Sequence, residues 1–261
     1  MNLVLLLILA LFEAADAAPD RLTELTTAIR ARDAATVEKL LAADPKLASA
    51  SAGGRSVVTT ALFTFDADAG LIPPQRNEVL QKLLARKPRL DVYETAAVGE
   101  LPDLQRMLRD DPAAVKRPNA LGWTPLHYAA FGGNRANIQI LLAAGADVHA
   151  RAANRFRNTP LIVATLTKQT AAAELLLAVG GDVLDRQAGG FSVLHEAAFT
   201  GNLDLVRLYL EKGAELNSRS DDGRTPLSEA MRGKHNAVAE FLKSKGAVAG
   251  VTGENLLSSP E

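Results

Sequence analysis

The chain repeats itself. Four segments align: GWTPLHYAAFGGNRANIQILLAAGAD from Gly122, RNTPLIVATLTKQTAAAELLLAVGGD from Arg157, GFSVLHEAAFTGNLDLVRLYLEKGAE from Gly190 and GRTPLSEAMRGKHNAVAEFLKSKGA from Gly223, with starts 35, 33 and 33 residues apart. A unit this short cannot bury its own apolar face, so a fixed period commits the chain to a stack in which each unit covers the next. Thr124, Thr159, Ser192 and Thr225 stand as helix N-caps. Pro125, Pro160 and Pro226 follow at the first helical position, where a missing N–H leaves nothing unsatisfied. Ala129, Ala130, Ala164, Ala197, Ala198 and Ala230 give this first helix a thin side that lets a neighbour approach closely. Gly133 and Gly201 end it. Ile138, Leu141 and Leu142 in one unit, and Val206, Tyr209 and Leu210 in another, then recur at helical spacing in a second helix closed by Gly145, Gly180, Gly213 and Gly246. Polar stretches such as ADVHARAANR and AELNSRSDD form fingers leading to the next cap.

Motif, period and terminal Gly-Ala together resemble the ankyrin repeat, with its 33-residue unit and T-P-L-H-x-A signature. The resemblance covers residues 20–247. It implies an all-α solenoid of stacked helix-turn-helix units with β-hairpin or loop fingers, a concave face lined by fingers and first helices, and protein recognition rather than catalysis.

The earlier half reads in the same phase with weaker matches. Residues 28–45 carry Val37, Leu40 and Leu41 at second-helix positions; residues 95–112 carry Gly99, Leu104, Met107 and Leu108. Between them a unit opens with GRSVVTTALFTF, and its second helix, VLQKLLARKP, begins about ten residues late, leaving DADAGLIPPQ as an insertion near 66–75. Seven units therefore fill the chain: diverged repeats over 19–120, four well-matched ones over 121–247, and a short tail over 248–261. Residues 1–18 stand outside this scheme. Their apolar run, LVLLLILALF, rises only about 15 Å as a helix, too short for a bilayer core of about 30 Å. Ala15 and Ala17 then have the spacing a signal peptidase prefers, so export to the periplasm or beyond, in a bacterial setting, is the expectation, with an uncleaved anchor as the alternative.

Composition removes several chemistries. With 29 Lys+Arg against 30 Asp+Glu the chain lacks the basic excess of a nucleic-acid binder, and with no cysteine it has no disulfide, thiolate metal site or thiol nucleophile. The His195-Glu196 pair lacks the second histidine of a zinc-protease helix, and no phosphate loop or nucleophile elbow occurs. Asp66 and Asp68 open a stretch like a calcium loop but lack its later ligands, so no metal, cofactor or catalytic residue is expected. The expectation is a monomeric protein-binding scaffold. The alternatives are an inhibitor or immunity-type protein that plugs one partner enzyme and a hydrolase within the diverged half.

The resemblance also nominates surface positions. Before the cap stand Trp123, Asn158, Phe191 and Arg224; at the end of the first helix stand Phe131, Leu166, Phe199 and Arg232; Phe156 lies on a finger. Exposed, these form an aromatic ladder suited to a binding hot spot; the alternative is that Phe131 and Phe199 pack between repeats. The resemblance assigns His127 and His195 to hydrogen bonds with backbone between repeats, positions taken elsewhere by Ile162 and Ser228. The finger after Val148 is two residues longer than its neighbours and carries Arg151, Arg155 and Arg157, which with Arg186, Arg219 and Arg224 could meet carboxylates on a partner or an anionic envelope polymer; the alternative is a solvated loop with scattered charges. Arg157 replaces the glycine before the cap, and Lys168 and Lys234 replace the glycine ending the first helix, so strained turns are expected there.

Overall fold

The computed structural model describes residues 20–66, 70–71 and 74–250. The signal peptide expected over 1–18, Asp68 and Pro73 of the insertion, and the tail from residue 251 lie outside the described residues. The chain forms two compact units, one ending at Leu90 and one beginning at Asp91. The third repeat, grouped by sequence with the diverged half, belongs to the second unit.

The first unit holds two helix pairs: α1 (Arg21–Ala31) with α2 (Ala34–Ala43), and α3 (Val57–Leu62) with α4 (Glu78–Leu84). Each start is fixed by a capping side chain that accepts a backbone N–H: Asp20 from Thr23, Asp33 from Thr36, Ser56 from Thr59 and Asn77 from Leu80. Leu25, Ile29, Val37, Leu41, Leu62, Leu80 and Leu83 are wholly buried between these helices. The late second helix of this repeat is α4. The insertion before it contains a short antiparallel pairing of Phe65–Asp66 with Gly70–Leu71. Asn77, itself buried, ties α4 to the end of α3: its Nδ2 donates to the Ala61 carbonyl at 2.7 Å and to Thr64 Oγ1 at 2.8 Å.

The second unit holds five pairs. They are α5 (Val92–Val98) and α6 (Leu101–Asp110), α7 (Pro125–Gly132) and α8 (Arg135–Ala143), α9 (Pro160–Leu166) and α10 (Thr170–Ala178), α11 (Val193–Thr200) and α12 (Leu203–Glu211), and α13 (Pro226–Arg232) and α14 (Asn236–Ser244). Seven pairs in all stand among the described residues, as the period requires. First helices pack chiefly on the first helices of adjacent repeats: α5 on α7, α7 on α9, α9 on α11, α11 on α13. The alanine side makes this possible, and Ala129, Ala130, Ala164, Ala197, Ala198 and Ala230 are each 0% exposed. Leu126, Leu161, Leu194 and Leu227 repeat one buried position, each contributing about 2 kcal/mol of apolar burial. Stability thus accumulates across repeat boundaries.

The turns follow the glycines. Gly133 and Gly201 end α7 and α11 in the left-handed region, at φ 70° and 73°. Lys168 and Lys234 hold the same conformation at φ 58° and 57°, each costing about 1 kcal/mol relative to glycine. The fingers of this unit are tight turns rather than paired strands, with a single β-bridge, Arg186 to Ser192, among the described residues. They are stitched one to the next by backbone: Ala153 N–H donates to Gly122 O at 2.7 Å, Ala188 to Phe156 at 2.9 Å, Asp221 to Gly189 at 2.9 Å.

Candidate functional site

The face made by fingers and first helices of the second unit gathers the nominated residues, and its frame is two histidines. His127 and His195 are wholly buried. In each, Nδ1 accepts the backbone N–H of the N-cap, Thr124 or Ser192, at 3.2 Å. Nε2 donates to a carbonyl of the next repeat, Asn158 O at 2.9 Å or Arg224 O at 3.0 Å. A carbonyl can only accept, so the proton sits on Nε2. Burial holds both rings down at about 4, with the cations of Arg186 and Arg224 adding to the effect at His195. The rings are neutral structural ties rather than acid–base groups at neutral pH. Ser228 replaces the ring in the last repeat, where its Oγ accepts the Thr225 N–H at 2.7 Å. Ile162 replaces it in the second, and there Thr159 Oγ1 is buried with no hydrogen-bond partner.

The expected ladder divides. Trp123, Leu166, Phe191, Phe199 and Arg224 are half-buried and Arg232 is exposed. Phe131, Phe156 and Asn158 are not surface groups. Phe131 is 0% exposed because its ring completes an aromatic cluster with Trp123, at 6.1 Å between ring centres, beneath the closely packed first helices. Asn158 is buried because its carbonyl serves His127 and its own finger, accepting from Ala152 N–H at 2.8 Å. Phe156 is folded under the Arg155 guanidinium, 4.9 Å from the ring centre.

Most finger arginines are likewise spent within the fold. Arg151 pairs with buried Asp185 and reaches Arg186 O at 3.0 Å. Arg186 pairs with Glu215 at 3.0 Å and reaches Arg219 O at 2.8 Å. Arg219 donates to Gly223 O at 3.1 Å. They brace successive fingers.

One position escaped sequence reasoning: the x of T-P-L-H-x-A, occupied by Tyr128, Val163, Glu196 and Glu229. In three of the four repeats it meets its own finger. Tyr128 OH accepts from Asn119 Nδ2 at 2.8 Å, the Glu196 carboxyl meets Gln187 Nε2, and Glu229 receives Arg224 at 3.2 Å. Glu229, 1% exposed, also receives Arg232 through Nε at 3.1 Å. Those two guanidiniums lie over aromatic rings, Arg224 4.7 Å from Phe191 and Arg232 4.4 Å from Phe199. Glu196 is pushed up to about 8, first by burial and then by the Glu229 carboxylate. It therefore stays protonated at neutral pH. The available signal was two acidic residues one repeat apart inside an otherwise apolar motif. No cluster of three or more metal-ligating side chains occurs among the described residues.

The family pattern described as ankyrin repeats (3 copies) matches residues 77–187 and 180–252. The chain belongs to the ankyrin-repeat family. Its architecture is the all-α fold of that family, and ankyrin repeats generally mediate protein–protein interaction. Among curated proteins, ankyrin repeat and SOCS box protein 3 of Bos taurus is 39% identical over 59% of this chain and 31% of its own length. Its Homo sapiens counterpart is also 39% identical, over 59% and 32%. Protein phosphatase 1 regulatory subunit 27 of Homo sapiens is 36% identical over 25% of this chain and 43% of its own. The ankyrin-repeat chain thus spans only about a third of the length of the first two relatives. All three are animal proteins, so the bacterial setting expected from the sequence gains no support from them. No described helix is long and apolar enough to cross a membrane.

Proposed function

We propose that this ankyrin-repeat chain is a monomeric scaffold that binds a partner protein through the finger and first-helix face of its second unit, at Trp123, Leu166, Phe191, Phe199, Arg224 and Arg232. The observation that supports the reading is the row of partly exposed flat groups at equivalent repeat positions, held rigid from below. Phe191 and Phe199 each carry a stacked guanidinium, and Glu229 locks both arginines. Rigid aromatic and arginine groups bury much area at small entropic cost, the usual composition of a hot spot. The regulatory-subunit title of one relative fits a role exerted on another protein. The test is capture of binding proteins by the intact chain beside a Trp123→Ala, Phe199→Ala, Arg232→Ala variant with native circular dichroism. A protein held by the first and lost by the second supports this face; equal retention by both moves the site elsewhere. Export by the N-terminal apolar run would put that partner in the periplasm or outside the cell, and a mature N-terminus just after Ala17 or Ala18, read by mass spectrometry, is the expected mark.

A further inference from the structure

The finger over residues 148–158 differs from the other fingers of the second unit in length, backbone and charge. Its capping Thr159 stands 14 residues after Gly145, whereas Ser192 and Thr225 stand 12 after Gly180 and Gly213. Arg157 occupies the place of Gly122, Gly190 and Gly223, and holds φ 54° where those hold 76°, 75° and 79°. At two of these glycines a side chain is excluded outright: an added Cβ would come 2.6 Å from the Ala153 backbone at Gly122 and 2.9 Å from the Asp221 nitrogen at Gly190. Arginine stands in the same strained conformation at the one longer finger.

The surroundings fix this conformation. Asn154 Oδ1 accepts the N–H groups of Phe156 at 3.0 Å and Arg157 at 3.3 Å, and its Nδ2 donates to Leu121 O at 2.9 Å. Arg151, anchored on Asp185, supports the Arg157 carbonyl from the other side at 3.4 Å. The finger is therefore tied to both neighbouring fingers and needs no ordering on binding. Its two outward guanidiniums are the ones left over. Arg151, Arg186 and Arg224 have carboxylate partners, whereas Arg155 and Arg157 have none at ion-pair distance among the described residues. Arg155 instead stands over the Phe156 ring, 4.9 Å from its centre.

We propose that the 148–158 finger is a docking point for an acidic segment of a partner protein, with Arg155 and Arg157 taking its carboxylates. A guanidinium fork matches a carboxylate, and two such charges at the rim of a recognition face raise the association rate and its salt dependence. The proposal rests on the recognition reading above and adds the chemistry of the partner. The test is a fluorescein-labelled peptide of alternating Glu and Gly, titrated by anisotropy against the full chain at low and physiological salt. The Arg155→Ala, Arg157→Gly double variant is expected to bind about tenfold more weakly with a shallower salt dependence. The Arg157→Gly single variant is expected to melt a few degrees higher, since glycine relieves the left-handed strain. A melting temperature of the double variant no lower than that of the intact chain shows that its weaker binding is not misfolding. Failure of the intact chain to bind, equal binding by the double variant, or tighter Arg155- and Arg157-dependent binding to phosphatidylglycerol vesicles than to the peptide overturns the proposal. A captured partner lost with Trp123→Ala, Phe199→Ala, Arg232→Ala, combined with any of these outcomes, leaves the recognition reading standing and removes only the finger from it.

Discussion

The repeats beginning at Gly122 and at Gly190 share one skeleton and carry opposite chemistry. In both, a capping hydroxyl residue and a buried histidine lock the finger to the next repeat. Below the finger, the first builds an aromatic cluster: Tyr128 stands 5.6 Å from Tyr93 and 5.7 Å from Trp123. The second places the Glu196 carboxyl in the position of Tyr128, facing Glu229 of the following repeat and its two arginines. Equal backbones therefore do not mean equal surfaces. The histidine tie is local and repeatable, while the position after it is free to be packed or charged.

The largest effect that would sharpen this contrast is at Tyr128. Truncation to Ala removes a wholly buried ring from the aromatic cluster and is expected to cost about 3–4 kcal/mol in urea unfolding, whereas Tyr128→Phe, which keeps the ring and loses the hydroxyl that accepts from Asn119, is expected to cost about 1 kcal/mol. Similar losses for the two variants would mean that the hydrogen bond, not the ring, holds that end. At the charged end, Glu229→Gln removes the carboxylate shared by Arg224 and Arg232, of which Arg224 keeps Asp222 as a partner. Breaking a fully buried pair costs about 3–5 kcal/mol, but Arg224 and Arg232 keep 26% and 38% of their side chains exposed, so about 2 kcal/mol is expected.

The two ends should also separate with pH. Glu196 has a folded value raised to about 8, so its contribution is fully present below the ordinary carboxyl range and is lost as pH rises from there through 8. Glu196→Gln is therefore expected to stabilise the chain by about 1–3 kcal/mol at pH 8.5 and to change little at pH 4; a pH-independent gain would show that Glu196 is ionised in the fold. The histidines run the other way. Their folded values, lowered to about 4, give stability that is present above their ordinary value and lost on acidification toward 4. Between pH 7 and pH 5 the amides of α7, with His127 alone, are expected to lose more exchange protection than those of α11, where Glu196 offsets His195. Equal loss would break the comparison. The smallest effects belong to the strained turns, where Lys168→Gly and Lys234→Gly are each expected to gain about 0.5–1 kcal/mol in thermal unfolding.

Much of this was legible in the residues themselves. Caps, terminal glycines and the alanine side mark the helix pairs of the four well-matched repeats, and apolar spacing marks the second helices of the diverged ones, including the late helix after the insertion. The histidine ties are legible through the family resemblance, and the left-handed lysines through their places in the glycine register. The candidate surface was legible only in part. Trp123, Phe191, Phe199, Arg224 and Arg232 reach the surface, but Phe131, in the same register as Phe199, lies inside. Sequence phase assigns both the same place on a helix; in space Phe131 is wholly buried beside Trp123 of its own repeat, whereas Phe199 stays half-buried under Arg232 of the next.

What the sequence determines by itself is whatever acts over a few residues or one period: helix starts and stops, the repeat count and the thin helix faces. Those follow from capping, backbone sterics and periodic burial, which are local or strictly repeating. Only the tertiary structure decided which charges are free. Arg151 and Arg186 read as available cations until the next finger's carboxylates and carbonyls are set beside them, and Arg155 and Arg157 are distinguished from them by nothing in composition. Partners likewise separate Glu229 from Glu196, both buried, since Glu229 receives two guanidiniums and Glu196 an amide. Electrostatic partnership is a property of distance in space, and the sequence encodes it through contacts about 30 residues apart that no local rule can count.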